Sequence, residues 1–499
     1  MTVSLLTPQR VSSVHSAYRR LREAQRADPF PTLSQRRDWL ERLARVITDA
    51  APRIVKAIDA DFGGRSRHET LLVDVMASLE SVRDAQRHLA TWMKPRRVAP
   101  SPYFLPGRAW IEPLPLGVVG IIAPWNYPVN LLLSPLVGAL AAGNRAILKP
   151  SEVTPRTAEL LGETLRSRFA ADELAVVEGG ADVAEEVTHL GVDHLFFTGS
   201  TAVGRKVAMA AAENLVPVTL ELGGKCPAWI HPDYPLDRAA ERIALGKLFN
   251  AGQTCIAPDY VLVSRGKEDA LVAAFEKAAR RAYPELPATA DYSAIVSPRH
   301  HERLTALLDD ATRRGARIHT IGASPAKGSR KLAPALVLGA TAEMKVMQEE
   351  IFGPLLPVLA YGTLEEARQR IADGPRPLAL YYFDEDAARA EEILRRTPSG
   401  GACVNDTLIH FAQERLPFGG VGASGQGAYH GVAGFERFSH LRGVLDASSL
   451  APARRLQSPP YGRLLDAALA TLSSRAPGEA LARVMRVLRP AASSTGGNR

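Results

Sequence analysis

Two periodicities alternate along this chain. From residue 11 to 92 the apolar positions recur at three-and-four spacing, so helices are expected there. The run breaks at Asp61-Phe62-Gly63-Gly64-Arg65, where the glycines suit a helix C-cap. Residues 94–110 lose the pattern; Pro95, Pro100, Pro102 and Pro106, interspersed with arginines, read as an exposed arm or connection. From 117 to 224 short apolar runs alternate with helical stretches. The runs 117–123, 145–149, 175–177, 194–199 and 218–221 read as strands, and 129–142, 155–169 and 201–213 as helices. That alternation predicts an α/β fold with a doubly wound, parallel sheet. A second series follows between 258 and 404, with strands at 260–263 and 378–383 and helices at 267–282, 298–314 and 385–397. It predicts a second α/β domain. Open parallel sheets bind ligands beyond the carboxyl ends of their strands. Asn126, Lys149, Gly199, Ser200 and Glu221 all fall at or just after expected strand ends.

Between the two series lies Phe249-Asn250-Ala251-Gly252-Gln253-Thr254-Cys255-Ile256-Ala257-Pro258. Leu236, Ala239, Ala240, Ile243, Ala244 and Leu248 trace an amphipathic helix leading into it, with Asp237 near the start and Gly252 at the expected stop. Cys255 is therefore expected on a loop past a helix end. A free thiol ionises near pH 8.5, so attack on a carbonyl at neutral pH needs a base or a positive field. Glu221, after an apolar strand and before Gly223-Gly224, is a candidate base. A lone cysteine is more often a small buried apolar residue; the surrounding motifs decide between the two.

Composition removes several alternatives. No window approaches 18 consecutive apolar residues, so no membrane span is expected, and the first ten residues lack the apolar core of a secretory signal. Three cysteines (Cys226, Cys255, Cys403) without a CxxC pair argue against a disulfide framework or a zinc site. No metal is expected, and a reducing compartment, the cytoplasm, is the default. The net charge of +8 invites a nucleic-acid reading, yet residues 451–499 alone carry eight arginines against Asp466 and Glu479. The body is left close to neutral, so no nucleic-acid partner is expected. Within that tail Leu464, Leu465, Ala468, Leu469 and Leu472 mark one face of a helix, a second short helix is expected over 478–489, and the Ser/Gly-rich end reads as disordered. A basic amphipathic tail can make weak peripheral contact with a membrane; docking on its own body is the commoner fate.

Seven stretches in fixed order carry the chemistry: Pro124-Trp125-Asn126-Tyr127-Pro128, Lys149-Pro150-Ser151-Glu152, Phe197-Thr198-Gly199-Ser200-Thr201, Glu221-Leu222-Gly223-Gly224-Lys225, Gly252-Gln253-Thr254-Cys255, Glu349-Glu350-Ile351-Phe352-Gly353-Pro354 and Pro417-Phe418-Gly419-Gly420. Together they resemble the aldehyde dehydrogenase superfamily over roughly residues 10 to 450. Cys255-Ile256-Ala257-Pro258-Asp259-Tyr260 and Gly427-Ala428-Tyr429-His430-Gly431 resemble its class 3 branch, and Asp61-Phe62-Gly63-Gly64-Arg65-Ser66-Arg67-His68-Glu69-Thr70 is similar to the coniferyl aldehyde dehydrogenases of that branch.

The resemblance implies roles. Cys255 is the nucleophile, Glu221 the base that activates water, and the Asn126 side chain with the Cys255 backbone N–H the oxyanion donors. The cofactor is expected to be NAD, held by Trp125, Lys149, Glu152, Gly199, Ser200, Gly204, Leu222, Glu350 and Phe352. A carboxylate at Glu152 disfavours a 2′-phosphate, although class 3 relatives often accept NADP as well. Gly199-Ser200-Thr201-Ala202-Val203-Gly204 is a variant of the glycine-rich fingerprint, with Thr at the second glycine position. Tyr127 and Phe418 are expected to line the substrate tunnel. The implied substrate is coniferaldehyde or another hydrophobic aldehyde, with medium- or long-chain aliphatic aldehydes as the alternative. The implied organisation is a dinucleotide-binding domain with N-terminal helices over 1–222 and an oligomerisation arm near 98–112, a catalytic domain over 223–404, a return to the cofactor domain with an oligomerisation strand over 405–450, and a basic tail over 451–499. A homodimer is implied. Two features depart from the family pattern: Cys226, where relatives usually carry Ser, Asn or Asp, and the tail beyond about 475.

Overall fold

The structure is a computed structural model; it describes residues 8–101, 104–449 and 459–473. It divides into two units, one made of Met1–Met93 with Leu114–His440 and the other of Lys94–Pro113 with Leu441–Arg499.

The helices expected over 11–92 are Pro8–Ala27, Leu33–Phe62 and Ser78–Trp92, with a π-helical turn at Thr70–Ala77. Leu33–Phe62 opens on a capping box between Thr32 and Gln35 and closes at Gly63, whose φ of 66° is the left-handed conformation a C-cap needs.

The arm forms β1 (Arg96–Val98) and β2 (Arg108–Pro115). The expected strands of the first series are β3 (Val118–Ile122), β4 (Arg145–Lys149), β5 (Leu174–Val176), β6 (His194–Gly199) and β7 (Val218–Leu222). The second series is richer than its pattern shows: β8 (Pro227–Ile230), β9 (Tyr260–Ser264), β10 (Arg317–Thr320), β11 (Ala335–Leu338), β12 (Leu355–Tyr361), β13 (Ala379–Phe383) and β14 (Gly401–Val404). Two late strands, β15 (Gly425–Gln426) and β16 (Ser439–Asp446), follow.

The first sheet runs β15-β7-β6-β3-β4-β5 and the second β10-β11-β12-β9-β8-β13-β14. All pairs in them are parallel except the edge strands β15 and β10. In β3, β4 and β13 every residue is buried, as a sheet covered on both faces requires. β1, β2 and β16 form a separate three-stranded sheet with β16 at an edge. The expected tail helix is present as Arg463–Leu472. The second tail helix and the end lie outside the described residues.

Register places the site. Ile122 pairs with both Lys149 and Phe197, and Thr198 pairs with Glu221, so β3, β4, β6 and β7 end level with one another. Only Gly223, Gly224, Lys225 and Cys226 separate the end of β7 from the start of β8. The carboxyl edge of the first sheet therefore feeds directly into the amino edge of the second. Cys255 lies just ahead of β9, which pairs with β8 from Tyr260↔Pro227 onward.

Candidate active site

The helix Leu236–Leu248 ends four residues earlier than Gly252 suggests. Three left-handed residues follow, Asn250 (φ 50°), Ala251 (φ 51°) and Gly252 (φ 73°). A Cβ at 252 would stand 2.3 Å from the Gly353 carbonyl oxygen, so the loop needs glycine there. This tight reversal carries Thr254 and Cys255 onto a cavity of about 600 Å³. Its walls include Leu72, Met76, Leu131, Leu245, Phe249, Ile256 and Phe411, with Tyr127 near Cys255. The Tyr127 hydroxyl is 2.6 Å from Thr254 Oγ1, which ties the tunnel residue to the loop of the thiol. Phe418 stands one layer behind the wall on which it was expected. Its ring meets Phe411 edge to face, centroids 5.0 Å apart, and stacks on His430.

The thiol itself is not activated by its loop. Burial pushes its pKa up, the charges of Glu350 and Glu221 push it further, and only the N–H groups of Cys255 and Ile256 oppose them. Glu221 is 4% exposed, neither of its oxygens has a hydrogen-bond partner, and burial raises its pKa well above the usual carboxylate range. Glu350 is raised to about 8, first by burial and then by Asp259. Its carboxyl group packs against Gly223, where a Cβ would lie 2.0 Å from Oε2, and it accepts the Gly224 N–H. Its Oε1 is buried without a partner. Burial thus disfavours the charged forms of the Cys255 thiol and of the Glu221 and Glu350 carboxyls alike.

The residues expected at the cofactor lie along the level strand ends. Lys149 is buried, with its ammonium 2.5 Å from Glu152. Ser200 caps the helix Thr201–Glu213, accepting from the Val203 N–H, and follows Gly199 at the end of β6. Gly204 lets that helix approach β7, since a Cβ there would sit 2.5 Å from Leu222 Cδ2. Leu222 is itself buried and donates its N–H to the Ser424 carbonyl. Phe352 holds a left-handed φ of 49°, a strain of about 1–3 kcal/mol for a non-glycine residue. The strained turn presents its ring edge to face against Trp125, centroids 5.3 Å apart, and Trp125 also meets His300 at 4.9 Å. Asn126 is 3% exposed.

Several residues have structural roles at the site that their motifs do not announce. Lys225 pairs with Asp259 and donates to the carbonyls of Val346 (2.7 Å) and Glu349 (3.0 Å). Asp259 in turn accepts the Ile351 N–H at 2.9 Å. The pair locks the exit of the cysteine loop to the turn that bears Glu350 and Phe352. Arg303 clamps the same turn through the carbonyls of Glu350 and Ile351. Cys226 is fully buried and donates its thiol to the Cys255 carbonyl at 3.4 Å, so it is core beneath the nucleophile. All three cysteines are free, and among the described residues no group of His, Cys, Asp or Glu could hold a metal ion. No helix among them is long and apolar enough to cross a membrane.

On one wall of the cavity Glu414 accepts from Ser81 Oγ (2.8 Å) and from the Gly431 N–H (3.1 Å), and burial raises it to about 7. A carboxyl raised above its unfolded value of 4.5 stabilises the fold while protonated. That contribution is complete below pH 4.5 and is lost as pH rises through 7. Glu69 (about 7), Asp74 (about 6) and Glu350 (about 8) act in the same direction. The histidines His194, His410 and His430 are held below 6.5 by desolvation and act only below that pH. The melting temperature of the ligand-free protein is therefore expected to fall between pH 6.5 and 8.5. Glu414→Gln should flatten that slope, as calorimetry across the range would read.

The chain matches the aldehyde dehydrogenase family over residues 4–444. It is 47% identical to a probable coniferyl aldehyde dehydrogenase of Pseudomonas aeruginosa, over 91% of this chain and 95% of that protein. It is 42% identical to a coniferyl aldehyde dehydrogenase of a Pseudomonas species, over 94% and 98% of the two. Among solved structures, the indole-3-acetaldehyde dehydrogenase of P. syringae in complex with NAD+ and IAA superposes with a TM-score of 0.80 at 26% identity, covering 88% of this chain and 89% of that one.

Proposed function

The chain belongs to the aldehyde dehydrogenase family, and on that premise we propose that it oxidises coniferaldehyde, or a related hydrophobic aromatic aldehyde, to the carboxylic acid with NAD. The observation that carries this reading is the position of Cys255. It lines a large, mainly apolar cavity, while the two buried carboxyls of Glu221 and Glu350 act on the same sulfur.

The dinucleotide is supported by this chain's own residues. A buried ammonium paired with a carboxylate stands at the end of β4, a capped helix start follows β6, and Glu350 keeps an orphaned oxygen. Lys149 and Glu152 would take the adenosine ribose hydroxyls and Glu350 the nicotinamide ribose. Gly199, Ser200 and Gly204 would face the phosphates, while Leu222, Trp125 and Phe352 would border the rings. The Glu152 carboxylate disfavours a 2′-phosphate by like charge, which favours NAD over NADP. When bound, NAD supplies the hydride acceptor.

The chain's residues do the rest. The Cys255 sulfur bonds to the aldehyde carbon as its proton passes to solvent water, and the carbonyl π pair becomes an oxyanion. The Asn126 amide and the Cys255 N–H stabilise that charge. Collapse of the oxyanion breaks the C–H bond, its electron pair leaves as hydride, and a thioester remains on Cys255. Glu221, once ionised, takes a proton from water, the resulting hydroxide attacks the thioester, and the C–S bond breaks to release the acid. Glu221 at this place favours water over CoA as the acyl acceptor. Removing one oxyanion donor costs roughly 10²–10³ in turnover. Asn126→Ala should therefore lower kcat by that factor with little change in KM for NAD.

Ser81 Oγ, bonded to Glu414 and 3.3 Å from Ser134 Oγ, gives the cavity wall a polar patch suited to an oxygenated ring. A second reading, a medium- or long-chain aliphatic aldehyde, is favoured by the exposed apolar residues Leu72, Met76 and Ile409 on the same cavity. NADH formation with coniferaldehyde and octanal, each with and without CoA, tests both. A higher kcat/KM for octanal would select the second reading, and a requirement for CoA would overturn hydrolysis. A homodimer is supported by β16, an edge strand with mostly exposed residues that is open to pairing. Sedimentation at the mass of one chain would overturn it.

A further inference from the structure

The Arg65 side chain is wholly buried, and no step above uses it. It follows the Gly63 cap and enters the protein between two rings, 4.8 Å from that of Phe62 and 5.0 Å from that of Tyr127. Its one short hydrogen bond runs from Nη1 to the main-chain carbonyl of Asn126, at 3.0 Å. The carboxylates of Glu69 and Asp74 stand farther off, each at 3.8 Å, and both Nε and Nη2 are without a hydrogen-bond partner. Carbonyls accept two donors, and the second one here is Asn250 Nδ2, at 3.2 Å. Asn250 belongs to the left-handed turn before Cys255, and its N–H is held at 3.0 Å by Glu69, which also accepts from Ser293. A single peptide oxygen thus joins the segment of Asn126 to the loop of Cys255.

Stability alone gives a poor account of this arrangement. A buried guanidinium with imperfect ion pairs costs desolvation that a well-packed apolar side chain would avoid. What the cation does supply is a rigid, directional donor at one atom. We propose that Arg65 is a positioning residue for the oxyanion site: with Asn250 it fixes the Asn126 peptide, and so the Asn126 amide, relative to the Cys255 N–H. The inference rests on the oxyanion role given to Asn126 above. Misplacement of a reacting group by about 1 Å can cost on the order of 10²-fold.

The test uses the full-length enzyme with Arg65→Met, Asn126→Ala and the double substitution, assayed with coniferaldehyde and with coniferaldehyde deuterated at C1. Arg65→Met is expected to lower kcat by roughly 10–100-fold. It should raise the primary isotope effect as hydride departure becomes limiting, and leave KM for NAD within about twofold. In the Asn126→Ala background the same substitution should cost almost nothing more, because the group it positions is gone. Multiplicative losses, or a slower Arg65→Met enzyme with an unchanged isotope effect, would mark a merely structural role and overturn the proposal. A folded Arg65→Met enzyme of ordinary activity beside an impaired Asn126→Ala enzyme would sink the positioning role alone. An Asn126→Ala enzyme of ordinary activity would sink the oxyanion reading, and this one with it. Should Arg65→Met fail to fold, Arg65→Lys carries the same cycle, keeping the charge while losing the planar fork.

Discussion

Serine in place of Cys255 should lower NADH formation on the order of 10⁴-fold or more, the scale seen when a covalent nucleophile is removed. The hydroxyl fits the same turn, so the fold and NADH binding should persist. Only the ability to form the sulfur–carbon bond goes. The loss should be severe because the loop offers no second nucleophile. Cys226 lies beneath it, fully buried and engaged with the Cys255 carbonyl. Steady-state assay with NADH binding as the control measures the effect. A serine variant within tenfold of the parent would remove Cys255 from the mechanism.

Glu221→Gln should separate the two halves of the reaction. Acylation and hydride departure need the thiol, and hydrolysis needs the base. The variant should release about one NADH per site in a burst and then turn over roughly 10²–10⁴ times more slowly than the parent, the usual range for a general base. Rapid-mixing fluorescence reads both phases. Loss of the burst would move Glu221 to thiol deprotonation instead. The parent should also show a pH signature. Burial holds Glu221 protonated well above the ordinary carboxylate range, and the positive charge of Arg437 only partly opposes it. A base must be ionised, so kcat should rise with pH through a range above that of an ordinary carboxylate, and Glu221→Gln should lose that rise.

Much of the first sheet was legible because a parallel strand covered on both faces is an uninterrupted apolar run. Val118–Ile122 is such a run, whereas Val218–Leu222 is apolar only at alternate positions, with Glu221 as its penultimate residue. The second sheet was less so. Arg317–Thr320 is an antiparallel edge strand with exposed ends, and Gly401–Val404 is too short to show its alternation. Pro227–Ile230 follows β7 after only four residues, too closely for a separate strand to stand out. Among site residues, Cys255 and Glu221 were visible because their neighbours form ordered motifs. Arg65, Asn250, Lys225 and Asp259 stand in such stretches too, but what they do there was not legible. Each owes its role to partners far away in the chain, and a buried charge reads in sequence like any solvated one. The same limit explains the thiol. Its surroundings in space, two carboxyls and little compensating charge, cannot be inferred from the residues beside it.

The packing of the Glu350 carboxyl against Gly223 has a consequence for how this sequence can drift. An alanine at 223 would place its methyl carbon where the Glu350 oxygens lie. The glutamate would be evicted before the backbone was disturbed. Position 223 is therefore closed to every larger residue as long as position 350 keeps its acid. A lineage that abandoned Glu350 first would find 223 open, and could fill the space in a later step. Either order first displaces or removes the Glu350 carboxyl, so each of the two positions holds the other fixed.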